Sequence, residues 1–238
     1  MPQRQHHRGK HPEDAQLFSE KWVPVLREAV ADLSFLLSRG YAEKSAQKLV
    51  GDHHQLDARQ RRGVLGAACA DTSLDRRRER EVAADQLAGR ALWIDGYNLL
   101  IGMESALSGA VLLRGRDGCI RDLASVHGSY HRVEETLPAI ETIGRLLAAL
   151  DVTEAVWCFD APVSNSGRMK TFLEEAATRA GWPWRVELHR NPDQVLTASD
   201  GVAVTSDGWV LDRVQHWANL TRAFVESLNP RPEVIDLA

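Results

Sequence analysis

Three aspartates in this chain each close a short apolar run. Asp95 follows Leu92-Trp93-Ile94, Asp160 follows Val156-Trp157-Cys158-Phe159, and Asp207 follows Val202-Ala203-Val204-Thr205-Ser206. Carboxylates gathered at one place with no lysine among them repel one another strongly at low dielectric. An oxygen-seeking divalent cation relieves that repulsion, and Mg2+ or Mn2+ favours carboxylates and water as ligands. Such an ion can orient a water, lower its pKa and stabilise charge on a phosphodiester. Asp95, Asp160 and Asp207 are therefore the candidate ligands and catalytic groups, and Asn98, three residues after Asp95, is a candidate for orienting them or the substrate. No Cys-His pairing is recognisable and no serine sits in an elbow motif, so nothing points to a covalent nucleophile.

To bring these groups together the chain needs parallel strands. An apolar run that stops at Asp-Gly reads as a buried parallel strand ending at a ligand-facing tip. In open α/β sheets ligands sit beyond the carboxyl ends of the strands. Asp95-Gly96 taken alone also fits a hairpin turn; recurrence of the pattern at Asp160 and Asp207 favours the strand tip. A crossover helix is expected over residues 97–107 and a longer one over residues 133–150, where Ile140, Ile143, Leu146, Leu147 and Leu150 share one face. A strand is expected over residues 182–188 and a proline-bearing tail over residues 229–238.

Two segments carry groups suited to substrate. Residues 111–122 read as a strand, a turn and another short strand, in which Arg114, Arg116 and Arg121 alternate with Asp117 and Asp122. His127, Tyr130 and His131 follow. Arg114, Arg116 and His127 could contact phosphates while an aromatic stacks on a base; the alternative is a loop whose ion pairs satisfy one another. After Asp160, the turn Ser164-Asn165-Ser166-Gly167 opens a helix, where backbone N–H groups and hydroxyls could cradle a phosphate. Ser164, Asn165 and Ser166 are also ordinary helix-capping residues.

Upstream of the first strand the pattern is helical throughout. Val23, Leu26, Val30, Leu33 and Leu37 recur at three- and four-residue spacing, Pro24 suits a first helical turn, and Gly40 supplies a stop. Two further helices are expected over residues 41–50 and 56–69. The division is then a flexible arm over residues 1–12, an all-helical module over 13–88 and an α/β domain over 89–238. The run Asp75-Arg76-Arg77-Arg78-Glu79-Arg80-Glu81 is a solvated helix or linker, or else Arg76, Arg77 and Arg78 form a basic lip beside the acidic site.

Ile94-Asp95-Gly96-Tyr97-Asn98 resembles the opening motif of PIN-like and NYN-type ribonuclease domains, and Thr205-Ser206-Asp207 resembles the later strand tip of that superfamily. The likeness spans residues 90 to 215. It implies a three-layer α/β/α sandwich with a mostly parallel sheet, preceded here by the small all-α module. It implies a metal-dependent nuclease, most readily an endoribonuclease, with Mg2+ or Mn2+ as cofactor and RNA as nucleic-acid partner. It also implies a further carboxylate ahead of the last acidic strand, a place that Asp200 or Asp193 could fill. Asp32-Leu33, Arg39-Gly40-Tyr41 and Gln60-Arg61 resemble a family of uncharacterised proteins that joins a helical module to a PIN-like half. Two other classes stay open: a catalytically inactive module that binds RNA or protein, and a metal-dependent phosphatase. The single aspartate in Asp95-Gly96-Tyr97 counts against the phosphatase.

The composition sets the outer limits. With 44% hydrophobic and 26% charged residues a packed core is expected and general disorder is not. A net charge of −4 argues against a broadly basic nucleic-acid coat, though not against a local basic groove. Cys69, Cys119 and Cys158 form no CxxC pair and read as reduced thiols of a cytoplasmic protein. No apolar run approaches a membrane span, so no membrane partner is expected. A homodimer is left open as the assembly.

Overall fold

A computed structural model describes residues 7–124 and 128–238. Five helices come first: α1 (Asp14–Leu17), α2 (Val23–Ser38), α3 (Glu43–His53), α4 (Ala58–Ala67) and α5 (Asp71–Arg80). Then follow β1 (Ala91–Asp95), α6 (Gly96–Ser108), β2 (Leu112–Arg114), β3 (Ile120–Asp122), α7 (Thr136–Ala149) and β4 (Glu154–Asp160). The chain continues through α8 (Ser166–Ala180), β5 (Trp184–His189), α9 (Pro192–Ala198), β6 (Val202–Val204), α10 (Gly208–Leu211), α11 (Leu220–Ser227) and β7 (Val234–Asp236).

The protein is a mixed α/β fold with an N-terminal helical region. Its principal sheet runs β5-β4-β1-β6 with every neighbouring pair parallel. Strand alternation sorts residues to two faces. Leu92, Ile94, Trp157, Phe159, Val202 and Val204 pack into one cluster with α6, α7, α8 and α11. On the other face Trp93 and Ala203 meet Leu196, Val210, Leu211 and Trp217, beneath α9 and α10. With both faces covered, the strands read as nearly continuous apolar runs.

The inserted hairpin is present: β2 and β3 pair antiparallel. The C-terminal residues are not a tail, however. β7 pairs in parallel with β2 and completes a second sheet of order β3-β2-β7. This small sheet closes the core of the helical region. Leu26, Leu33, Val50, Leu56 and Val64 share a cluster with Leu113, Leu123 and Leu237, so apolar packing runs across the boundary expected near residue 88. The helix signals behave as their chemistry dictates: Asp57 and Gln60 form a reciprocal capping box on α4, and Gly40, after α2, takes φ +79°.

Of the expected arm, His7 and Arg8 are held rather than free. The Arg8 guanidinium reaches Glu104 Oε2 at 2.5 Å, and Glu104, fully buried on α6, also accepts from Thr136 Oγ1 at 2.6 Å and from the Tyr130 hydroxyl. Among the described residues no helix is long and apolar enough to cross a membrane.

Candidate metal centre at the strand tips

Asp95 is the last residue of β1 and also the N-cap of α6. Its Oδ1 accepts from the backbone N–H of Asn98 at 3.2 Å, and its Oδ2 accepts from Thr205 Oγ1 at 3.0 Å. Asn98 Oδ1 in turn accepts from both the backbone N–H and the hydroxyl of Ser206, at 2.9 and 3.0 Å. Because β1 and β6 are register neighbours, Ile94 beside Val204, the residues just beyond each strand meet and are stitched by these bonds. Asp207 donates its N–H to Thr205 Oγ1 at 3.0 Å and spends Oδ1 capping α10 through Trp209 and Val210. Thr205 and Ser206 therefore join these residues, although the sequence offered them only within the Thr205-Ser206-Asp207 motif and not as site residues. Their signal lay in position: two hydroxyls immediately ahead of a tip aspartate.

Gly96 is required by packing rather than by its dihedral angles. A Cβ there would lie 2.5 Å from the Phe159 ring, so the first turn of α6 sits directly on the β4 core.

Four carboxylates sense one another. Burial pushes Asp95 up to about 7, the negative charges of Asp193 and Asp207 add to this, and the bonds from Asn98 and Thr205 only partly oppose it. Asp193, in the first turn of α9, is raised by burial and by Asp207 and Asp160; burial also raises Asp160. Burial is the leading cause at Asp95, Asp160 and Asp193 alike. The guanidinium groups nearby pair with other carboxylates. Arg77 bonds Asp117 at 2.6 Å and Asp212 at 2.7 Å, and Arg121 holds Asp117 with two N–H groups. Carboxylate oxygens are hard donors, of the kind that could hold Mg2+ or Mn2+.

The fourth carboxylate is Asp193, not Asp200. Asp200 precedes β6, at the end of the sheet opposite the tips. It lines a separate cavity with Arg90, Ala91, Trp93 and His216, and a Cβ on Gly201 would lie 2.7 Å from the Ala91 carbonyl at the start of β1. The whole length of β6 separates Asp200 from Asp207.

Of the expected substrate contacts, Arg114 and Arg116 are turned to structural partners. Arg114 pairs with Glu226 at 2.6 Å, and Arg116 bonds Asp71 at 2.9 Å and the Cys69 carbonyl at 2.8 Å. Ser164, Asn165 and Ser166 make no phosphate cradle. The Ser164 N–H donates to the Gly128 carbonyl, Asn165 at φ 71° donates from Nδ2 to the Tyr130 carbonyl, and buried Ser166 donates to the Ala161 carbonyl. His127 lies outside the described residues. Of the three arginines expected as a basic lip, Arg77 is buried in the ion network, while Arg76 is exposed and donates to the Asp212 carbonyl at 3.4 Å.

What does border the acidic tips is a cleft of about 830 Å³. Asp95, Asn98, Asp207 and Trp209 form one wall, and Leu65 and Cys69 from the α4–α5 segment form another. Trp209 is 46% exposed, with the Arg213 guanidinium carbon 4.1 Å from its ring centre.

The family model described as a domain of unknown function (DUF5616) matches residues 84–223, and the chain belongs to that family. A second model, described as a protein of unknown function (DUF434), matches residues 25–80. An uncharacterized protein of Methanocaldococcus jannaschii is 26% identical over 208 residues, which cover 87% of this chain and 99% of that protein. No solved structure matches.

Proposed function

We propose that this member of the family is a divalent-metal-dependent nuclease, an endoribonuclease of PIN-like or NYN type acting on RNA in the cytoplasm. The observation that carries the reading is that the charges of Asp193 and Asp207 add to burial in raising Asp95, and those of Asp207 and Asp160 do the same to Asp193. Folding tolerates such a cluster when a ligand repays its cost, and hard carboxylates select Mg2+ or Mn2+. Bound there, the ion would supply an activated water and neutralise charge on a phosphodiester. The chain's own residues hold that cluster ready. Thr205 and the Asn98 N–H fix both oxygens of Asp95, and Asn98 Oδ1 ties Ser206 against the β1 tip. Trp209, exposed at the cleft wall beside Asp207, offers a face on which an unpaired base can stack. A positively charged coat is not needed, since single-stranded substrate is held by stacking as well as by charge.

The test is cleavage of single-stranded RNA with Mg2+ or Mn2+ by the wild type and by Asp95→Asn, Asp160→Asn and Asp207→Asn, all purified in parallel. Each variant should cut slower by orders of magnitude. Equal cutting by all four proteins would assign the activity to a contaminant. RNA bound but left whole with every ion would make the protein a binding module.

A further inference from the structure

The same sheet carries a second set of metal donors, of different chemistry. Cys158 on β4 stands one strand in from Asp95, its register partner on β1, and opposite Glu187 on β5. His189 follows Glu187 by two residues, so strand alternation returns it to the same face as Glu187. One sulfur, one carboxylate oxygen and one imidazole nitrogen from these residues all lie within 4.8 Å of one another. Cys158 forms the floor, 1% exposed, while the Glu187 and His189 side chains are 25% and 27% exposed and leave the group open to solvent. A cysteine placed only to pack would be indifferent to its neighbours across the strand pair. Here both of them are metal donors.

We propose that Cys158, Glu187 and His189 form a site for a thiophilic divalent ion of the Zn2+ class. Three donors at ordinary zinc distances, about 2.0–2.3 Å from the ion, stand roughly 3.3–3.8 Å apart in a tetrahedron. The donor atoms here lie within 4.8 Å of one another. Glu187 Oε2 and His189 Nε2 are already 2.8 Å apart, so the ion replaces the proton they share. Arg185 engages the other oxygen, Oε1, and so holds the Glu187 carboxylate in place without blocking Oε2. On binding, the thiol gives its proton to solvent and the sulfur–metal bond forms; no electron is transferred. Water fills the fourth position. A thiolate and an imidazole exclude Mg2+, so this ion differs from the one proposed for the carboxylates. The inference holds whether or not the acidic cluster cuts RNA.

Co2+ is the probe, because a thiolate ligand gives it a charge-transfer absorption that carboxylates do not. Metal-free full-length protein, kept reduced with a phosphine, should develop this band and saturate at one equivalent. Zn2+ should erase the band, and Mg2+ in large excess should not. Cys158→Ser should abolish it. His189→Ala, at a partly exposed position, should fold normally and weaken Co2+ at least about tenfold, the scale set by metal-site partner substitutions. Asp95→Asn should keep the band. A band that survives Cys158→Ser would place the thiolate at Cys69 or Cys119 and overturn the proposal. So would the absence of a band in the wild type, or unchanged Co2+ affinity in His189→Ala.

Discussion

Replacing Asp95 by asparagine should stabilise the metal-free protein, and the size of the effect can be worked from the site. Asp95 titrates at about 7 in the folded chain, against an ordinary value of 3.8. The folded state therefore holds the proton more tightly than the unfolded state. The stability this provides is fully present below pH ~4 and is lost as pH rises to about 7. The whole displacement corresponds to roughly 4 kcal/mol at about 1.4 kcal/mol per pH unit, an upper bound for a group that keeps some contact with water. Asparagine removes the charge and keeps an acceptor for the Asn98 N–H. Its amide must face Thr205 Oγ1, whose hydroxyl now has to turn, at a cost of about 1 kcal/mol. A net gain of about 1–3 kcal/mol at pH 8 remains. For a chain of this size that raises Tm by about 2–4 °C per kcal/mol. Thermal melts in chelator from pH 5 to pH 8 should show the two proteins converging in acid and separating toward pH 8. Mn2+ at about 1,000 times its Kd should invert their order, since it adds about 4.1 kcal/mol to the protein that binds it. A Tm difference that does not change with pH would refute the assignment of the raised carboxyl to Asp95. Mn2+ lifting both proteins equally would place the ion elsewhere.

Three other substitutions probe the supports of the site. Gly96→Ala should cost about 1–3 kcal/mol in urea unfolding, because its Cβ would meet the Phe159 ring at 2.5 Å inside a filled core. Arg121→Met should cost about 3–5 kcal/mol by the same assay, since it strips buried Asp117 of one of its two arginines. Burial alone would raise Asp117, but Arg121 and then Arg77 outweigh it and hold the carboxyl at about 2. The wild type therefore keeps this stability above pH ~4 and sheds it as pH falls toward 2, and Arg121→Met should lack most of that acid limb. Trp209→Ala should weaken single-stranded RNA by about 1–3 kcal/mol, as fluorescence anisotropy in chelator would show, with Trp209→Phe retaining most of the affinity.

The parts of the fold legible in the sequence were those fixed by near neighbours. Asp95 and Asn98 are three residues apart, and an apolar run ending in a helix cap constrains both. The face of α7 follows from a repeat within a single helix. What stayed hidden depends on pairing between distant segments. Asp193 and Asp200 are equivalent to a reading of residue types. Only the direction of β6 separates them, because a residue ahead of a parallel strand emerges at the end away from the tips. β7 is three residues long and has no signal except its partner β2. The arginines of the hairpin looked alike in the chain. Arg114 and Arg116 met acids 112 and 45 residues away, while Arg121 alone reached the site, through the Ser206 carbonyl at 2.8 Å.

That last contact bears on why the helical region and the α/β region share one chain. Arg77, on α5, donates to the Gly208 carbonyl at 3.1 Å and binds Asp117 and Asp212. Asp117 is also the partner of Arg121, which holds the carbonyl of Ser206. The loop that carries Thr205, Ser206 and Asp207 is thus gripped from outside the sheet at two carbonyls, and one of the two grips comes from the helices. The other comes from the hairpin whose Leu113 packs in the helical core. Bonds within the sheet stitch the β6 tip to β1, but they leave the far side of the loop without support. The helices therefore do more than wall the cleft. They hold the loop bearing Asp207 from outside the sheet.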